Sequence, residues 1–271
     1  VSTGVPFWKW QGLGNHYVVA ESALWPFPIT ADRARLVCDR HFGVGSDGIL
    51  EVLLEGNAPE MRVWNPDGSI AESCGNGIRM VARHLHMTGR LPSDGQILTG
   101  AGTVHVTVDG SVVAVQMGRA EFPSGEREEM LTTEAGEVAL AEVSMGNPHA
   151  IIRHDDPDAV VRVVGPAVEV APRFPERTNV EFVRRDGPSE ITMRVWERGV
   201  GETMACGTGA CAAAVAAVRL DGLTSPVTVH LAGGDLIIDV THDLEVIMTG
   251  PAEPVYEGRM SADLTNRLRA L

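Results

Sequence analysis

The chain has 271 residues, which on ordinary domain sizes is about two domains, and its 44% apolar content is enough for real cores. A formal net charge of −14 and a pI near 5.0 deprive phosphate-backbone binding of electrostatic support, and four cysteines are too few for the disulfide framework of a small secreted protein. The first residues, VSTGVPFWKWQG, lack the basic-then-apolar order of a signal peptide, and the longest Ala/Val run, Ala210 to Val218, falls short of the roughly 20 residues of a membrane helix. A cytoplasmic protein with free thiols and neither a nucleic-acid nor a membrane partner is expected.

In chain order, Pro6 to Gln11 is an aromatic strand candidate, followed by the turn-like GLGN and a strand from Tyr17 to Ala20. Trp25 to Pro28 is an apolar loop, and Ala31 to Arg40 has helical spacing. Gly43 to Gly48 satisfies the Gly-x-Gly-x-x-Gly string, but it follows a helix candidate and opens the strand Ile49 to Leu54, the reverse of a dinucleotide site. A tight turn is the better reading. Glu60 to Asn65 is a strand, Pro66 to Gly68 a turn, Gly75 to Thr88 a helix stopped by Gly89, and Thr103 to Val108 with Val112 to Met117 a hairpin around Asp109-Gly110. Arg119 to Glu134 is polar and aperiodic, a solvated bridge.

Beyond the bridge the order repeats. Strands are expected at Gly136 to Val143, Ala150 to Arg153, Asn179 to Arg184, Glu190 to Glu197, Pro226 to Leu231, Asp235 to Val240 and Leu244 to Thr249, with helices at Pro157 to Val170 and Gly209 to Leu220. A shift of 132 residues lays Met61-Arg-Val-Trp64 on Met193-Arg-Val-Trp196, Asn65 on Glu197, Cys74-Gly75 on Cys206-Gly207, Gly14-Asn15 on Gly146-Asn147 and Gly118 on Gly250. One offset that serves the beginning, middle and end of both halves indicates a duplicated domain. Residues 251–271 lie outside the repeated unit.

Each copy sets one cysteine, Cys74 or Cys206, where a glycine-rich turn meets a helix N-terminus. Unpaired N–H groups there stabilise a thiolate and also hold a carboxylate. A substrate carboxylate on the N–H groups of Gly75, Asn76, Gly207 and Thr208 would place its α-carbon beside both sulfurs, and the same donors would stabilise an enolate-like transition state. One thiolate removes the α-proton and the other thiol returns one to the opposite face, which inverts the centre. Cys38 and Cys211 read instead as small core residues. A pyridoxal phosphate mechanism needs a Schiff-base lysine, and the only lysine is Lys9 between two tryptophans. Neither the cysteine spacings nor His84 and His86 form a metal-ligand pattern, so neither cofactor nor metal is expected. His149, just after the second Gly-Asn, is a candidate proton-managing neighbour.

With NPDGSIAESCGNGIR, SMGNPH, FPERTNVEF and ERGVGETMACGTGAC in view, the chain resembles the diaminopimelate epimerase family over nearly its whole length. The resemblance implies an α/β fold (α+β by some schemes) of two pseudo-symmetric lobes, each with strands around a central helix. The implied lobes are residues 1–118 plus 251–271 and residues 119–250, with the active site in the cleft between them. It also implies a homodimer that epimerises LL-2,6-diaminopimelate to the meso isomer without a cofactor, in lysine and cell-wall precursor biosynthesis. Cys74 and Cys206 match the acid-base cysteines. Asn15, Asn65, Asn147, Asn179, Glu197 and Arg198 match the polar substrate shell, in which Arg198 would fork onto the distant carboxylate and the asparagines and Glu197 would receive ammonium groups. His16 stands where many members have Asp, and Gly48 where some have Gln. A related single-centre amino-acid racemase and a non-catalytic amino-acid-binding module are the alternatives.

Overall fold

The computed structural model describes residues 4–56, 58–71 and 75–271, so Cys74 lies outside the described residues. The chain divides into two compact units, one of residues 1–115 and 251–271 and the other of residues 116–250.

Unit 1 is a sheet wrapped round a helix. Pro6–Gly12 pairs antiparallel with both Asn15–Glu21 and the C-terminal strand Glu253–Arg259. Asn15–Glu21 then runs parallel to Ile49–Leu53, which is antiparallel to Glu60–Trp64. Asp94–Thr99 joins Glu60–Trp64 in parallel at Glu60 and is followed by the antiparallel strands Gly102–Asp109 and Val112–Arg119. Helix α1 is Ala31–Cys38, capped by the Thr30 hydroxyl, which accepts from the Arg33 N–H. Helix α2, Gly75–Met87, is the central one; strands from most of the sheet pack on it, and it is buried from Asn76 through Ala82 and at His84 and Leu85.

Two charged side chains inside this unit are satisfied rather than free. Glu21, 3% exposed, pairs with His84 Nε2 at 2.8 Å and with Arg90 Nη2 at 2.6 Å. Lys9 is buried and donates its ammonium to the Gly45 carbonyl. A second layer, made of α1, Trp25, Phe27 and the C-terminal helix Ala262–Ala270 through Leu268, covers the other face of the sheet.

Unit 2 repeats the order of pairings: antiparallel Gly136–Ser144 with Pro148–Arg153, parallel Pro148–Arg153 with Asn179–Arg185, and antiparallel Asn179–Arg185 with Glu190–Glu197. Val227–Leu231 then joins in parallel, and Gly234–Val240 and Glu245–Pro251 complete the sheet. Helix α3, Pro157–Glu169, lies on one face of the sheet through Val161 and Val168. Helix α4, Gly207–Asp221, lies on the other and is buried at Gly207 and from Gly209 to Ala217. It has no polar face because it has no solvent face, and its alanines let strands approach from all round. It ends at Gly222, whose left-handed φ of 66° suits a glycine.

Two expectations, the bridge and the start of α4, need correction, and the structure adds elements elsewhere. The Arg119 to Glu134 stretch contains a strand, Glu129–Thr133, which forms a hairpin with Gly136–Ser144. Strand Asp94–Thr99 fills a stretch that carries no alternating pattern, and the short Gly201–Thr203 adds to Glu190–Glu197. Helix α4 begins at Gly207 rather than Gly209. Residues 251–271 supply both an edge strand and a helix. Cys38 and Cys211 are buried in their cores, where Cys38 Sγ accepts from Ser46 Oγ at 3.4 Å. Among the described residues no helix is long and apolar enough to cross a membrane.

Candidate active site

Within unit 2, five of the expected residues, Asn147, His149, Glu197, Cys206 and Thr208, form one hydrogen-bonded network. Cys206 is the N-cap of α4, extended at φ −122° and ψ 116°, so its side chain stands at the mouth of the helix. Its sulfur lies 3.6 Å from Thr208 Oγ1 and receives the Gly209 N–H. Thr208 Oγ1 accepts from Asn147 Nδ2 at 3.4 Å, and Asn147 Oδ1 is 3.1 Å from His149 Nε2. The other ring nitrogen, Nδ1, is 2.7 Å from Glu181 Oε1. Glu197 hydrogen-bonds the Cys206 thiol and accepts from the Thr203 hydroxyl.

The helix N-terminus does not win the electrostatic contest at this thiol. Burial pushes the Cys206 thiol well up from its ordinary range, and the Glu197 and Glu181 carboxylates push it further; the Gly209 N–H and Thr208 hydroxyl only oppose this. At Cys206 burial and the two carboxylates thus work against the helix end. Glu197 moves the same way. Burial raises its carboxyl, and Glu181 adds to the rise, while the Thr203 and Cys206 hydrogen bonds and His149 pull it down.

Asn179 ties the turn at Arg198 to the strand Pro148–Arg153. Its Oδ1 accepts the Arg198 N–H at 3.0 Å, and its Nδ2 donates to the Pro148 carbonyl at 3.0 Å. The Arg198 guanidinium is exposed, with Nη1 3.3 Å from the Glu176 carbonyl. Its backbone is thus fixed while its charged end keeps donors for a ligand.

In unit 1, Gly75 and Asn76 open α2, and Asn76 is buried with its Oδ1 accepting from Arg79 Nη2 at 2.8 Å. Asn65 closes the NPDGS turn through its N–H to the Ser69 carbonyl at 2.8 Å and through Nδ2 to Ser69 Oγ at 2.9 Å. Asn15 begins its strand opposite Gly12. Next to it, the His16 N–H donates to Asp47 Oδ2 at 3.0 Å and the Asp47 N–H returns a bond to the His16 carbonyl at 2.9 Å. Burial lowers the His16 pKa, Asp47 opposing and Lys9 and Arg40 assisting. A Cβ on Gly48 would stand 2.6 Å from both the Trp64 carbonyl oxygen and a Tyr17 ring carbon, so a larger residue there needs a different packing. Burial likewise lowers the Lys9 pKa, with Asp47 opposing.

The reading of the sequence missed Glu181 and Thr203. The one signal for Glu181 is that it shares a strand face with Asn179, two residues away, and an acidic residue in an alternating strand masks that signal.

The chain matches the family described as diaminopimelate epimerase over residues 7–123 and 141–255. It is 45% identical to the diaminopimelate epimerase of Pelotomaculum thermopropionicum, with 93% of this chain and 97% of that protein covered. The corresponding protein of Alkalilimnicola ehrlichii is 43% identical, with 96% and 99% covered. Among solved structures, a Bacillus anthracis phenazine biosynthesis protein of the PhzF family superposes with a TM-score of 0.72 at 15% identity, over 94% of this chain and 98% of that one. A probable proline racemase from Agrobacterium radiobacter gives 0.71 at 16% identity, over 95% and 93%. At such identities these structures speak for the fold alone.

Proposed function

Because this chain belongs to the diaminopimelate epimerase family, we infer that it interconverts LL- and meso-2,6-diaminopimelate, a step of lysine biosynthesis, with Cys206 and Cys74 as its two acid-base residues. The observation that carries the assignment is the place of Cys206: buried at the N-terminus of α4, with Thr208 Oγ1 3.6 Å from its sulfur and Glu197 hydrogen-bonded to it. A two-base inversion needs one group holding its proton while the other has lost it. Whichever of Cys74 and Cys206 is the base for one isomer is the acid for the other, so their apparent pKa values belong to the pair.

In this reading the reacting carboxylate sits on the N–H groups of Gly75, Asn76, Gly207 and Thr208, where developing enolate charge is stabilised. Asn15, Asn65, Asn147, Asn179 and Glu197 receive the ammonium groups, and Arg198 forks onto the distal carboxylate. Demanding both ends gives specificity, since a one-ended analogue leaves buried polar groups unpaired. The lobes of residues 1–118 plus 251–271 and residues 119–250, a homodimer and a cytoplasmic location belong to the same reading; the first is supported by the division into two units, the others by the family resemblance.

The test is turnover of LL-diaminopimelate by the reduced protein in deuterated water. Deuterium is expected at the inverted centre, and Cys206→Ala or Cys74→Ala should abolish inversion while retaining at most one-sided α-proton exchange. Near-normal inversion by either variant overturns the two-cysteine assignment.

A further inference from the structure

Glu181 is the one carboxylate of the network with no solvent at all: its side chain and that of His149 are both 0% exposed. Burying a carboxylate is costly unless it is paired and hydrogen-bonded. Here one oxygen meets His149 at 2.7 Å, and the other, Oε2, has no hydrogen-bond partner among the described residues. The fold does not require this residue. In unit 1 the equivalent parallel pairing places Val18 opposite Ile49 where unit 2 places Ala150 opposite Val180. Tyr17 then stands for His149 and Leu50 for Glu181, and Leu50 is equally buried. The same strand position is thus filled once by leucine and once by an incompletely satisfied carboxylate.

The placement of Glu181 explains what it does there. Both ring nitrogens of His149 are engaged, Nδ1 by Glu181 and Nε2 by Asn147. The ring therefore acts as a strut whose orientation is set from behind by the carboxylate. From His149 the chain of contacts continues through Asn147 and Thr208 to the Cys206 sulfur. It also closes on itself, since the Cβ position of Gly209 is 2.5 Å from Glu181 Oε1 and 3.3 Å from Cys206 Cβ.

We propose that Glu181 is a positioning residue for the epimerisation: through His149 and Asn147 it fixes Thr208 beside the Cys206 sulfur. Its negative charge near the sulfur also disfavours the thiolate, after burial and Glu197. This rests on the assignment of Cys206 as an acid-base residue. Among the described residues, the charged and titratable groups that face the sulfur are Glu197 from Glu190–Glu197, Glu181 from Asn179–Arg185, and His149, which lies beyond Asn147 on Pro148–Arg153. Of the two carboxylates, Glu197 hydrogen-bonds the thiol itself, whereas Glu181 is hydrogen-bonded to His149.

The experiment compares the full-length wild type with Glu181→Gln and Glu181→Asp. The readouts are kcat and KM on LL-diaminopimelate, and the pH dependence of Cys206 alkylation by iodoacetamide followed at the Cys206 peptide by mass spectrometry. Glu181→Gln should lower kcat at least about tenfold with KM changed less than about threefold, and should move the alkylation midpoint down by about one pH unit. Glu181→Asp keeps the charge, so its alkylation midpoint should stay at the wild-type position while part of kcat returns. If Glu181→Gln does not fold, Glu181→Leu supplies the neutral side chain that unit 1 accommodates at this position. Wild-type kcat in a neutral variant overturns the proposal, as does lost activity with an unmoved alkylation profile. Alkylation needs no substrate. Inactivity of the wild type on diaminopimelate would defeat the functional reading and leave the role of Glu181 to be decided by the thiol alone.

Discussion

Gly209 and Glu181 approach so closely that a Cβ on the glycine would stand 2.5 Å from Glu181 Oε1 and 3.2 Å from its Cδ. This close approach explains the glycine, since Gly209 lies inside α4, where alanine is worth about 1 kcal/mol more in helix propensity.

For Gly209→Ala the overpacking cost of about 1–3 kcal/mol should exceed that propensity gain, because the carboxylate it meets is held by His149 and cannot swing away. The variant should melt lower and lose at least about tenfold in kcat. Higher thermal stability with full activity would contradict the crowded geometry.

The Cys206 thiol, held up by burial, Glu197 and Glu181, should be alkylated slowly at neutral pH and quickly only at alkaline pH. Glu197→Gln removes a negative neighbour and so favours the thiolate; alkylation at a fixed alkaline pH should accelerate. Slower alkylation of that variant at the Cys206 peptide would mean that the hydrogen bond, not the charge, controls the sulfur.

Arg198 is expected to act on the far end of the substrate. Arg198→Ala should cost about 2–5 kcal/mol in kcat/KM for diaminopimelate, and much less for an analogue without the distal carboxylate. Equal proportional losses on both substrates, measured by coupled assay or chiral chromatography, would remove Arg198 from that role.

Glu21 links pH to stability in unit 1. Burial would raise its carboxyl, but the hydrogen bonds from His84 and Arg90 outweigh that and hold it at about 2, against 4.5 ordinarily. A depressed carboxyl pKa contributes stability that is complete above the unfolded value and is lost as pH falls from there towards about 2, here of order 1–3 kcal/mol. Urea unfolding of the wild type should weaken across that window, and Glu21→Gln should flatten the weakening there. An unchanged slope in the variant would exclude Glu21 as the source.

What the sequence disclosed and what it concealed divide along physical lines. The Cys206 and Thr208 end of the site was readable because a glycine-rich turn before an apolar run has a direct meaning at a helix start, and because the 132-residue offset repeats it. Glu181 was not, because a lone acidic residue in NVEF reads as the solvent side of an alternating strand. That strand instead has α4 on one face and α3 on the other, so Asn179 to Val183 are all buried and the alternation carries no exposure signal. Strand Glu253–Arg259 was hidden for the opposite reason: as a largely exposed edge strand it has no buried stripe, and only its partner Pro6–Gly12 reveals it. The direction of the Cys206 pKa shift was also out of reach, since it depends first on burial and then on two carboxylates brought in from other strands.

That pairing of Glu253–Arg259 with Pro6–Gly12 has a consequence for biosynthesis on the ribosome. Unit 2 is contiguous, so it can close once Gly250 has left the exit tunnel. Unit 1 cannot: one edge of its first strand stays without its partner until residues 253–259, made after the whole of unit 2, emerge. The nascent chain therefore carries an open strand edge throughout synthesis of the second repeat, the kind of surface on which chaperones and wrong partners compete, and folding of the first-made unit is completed last.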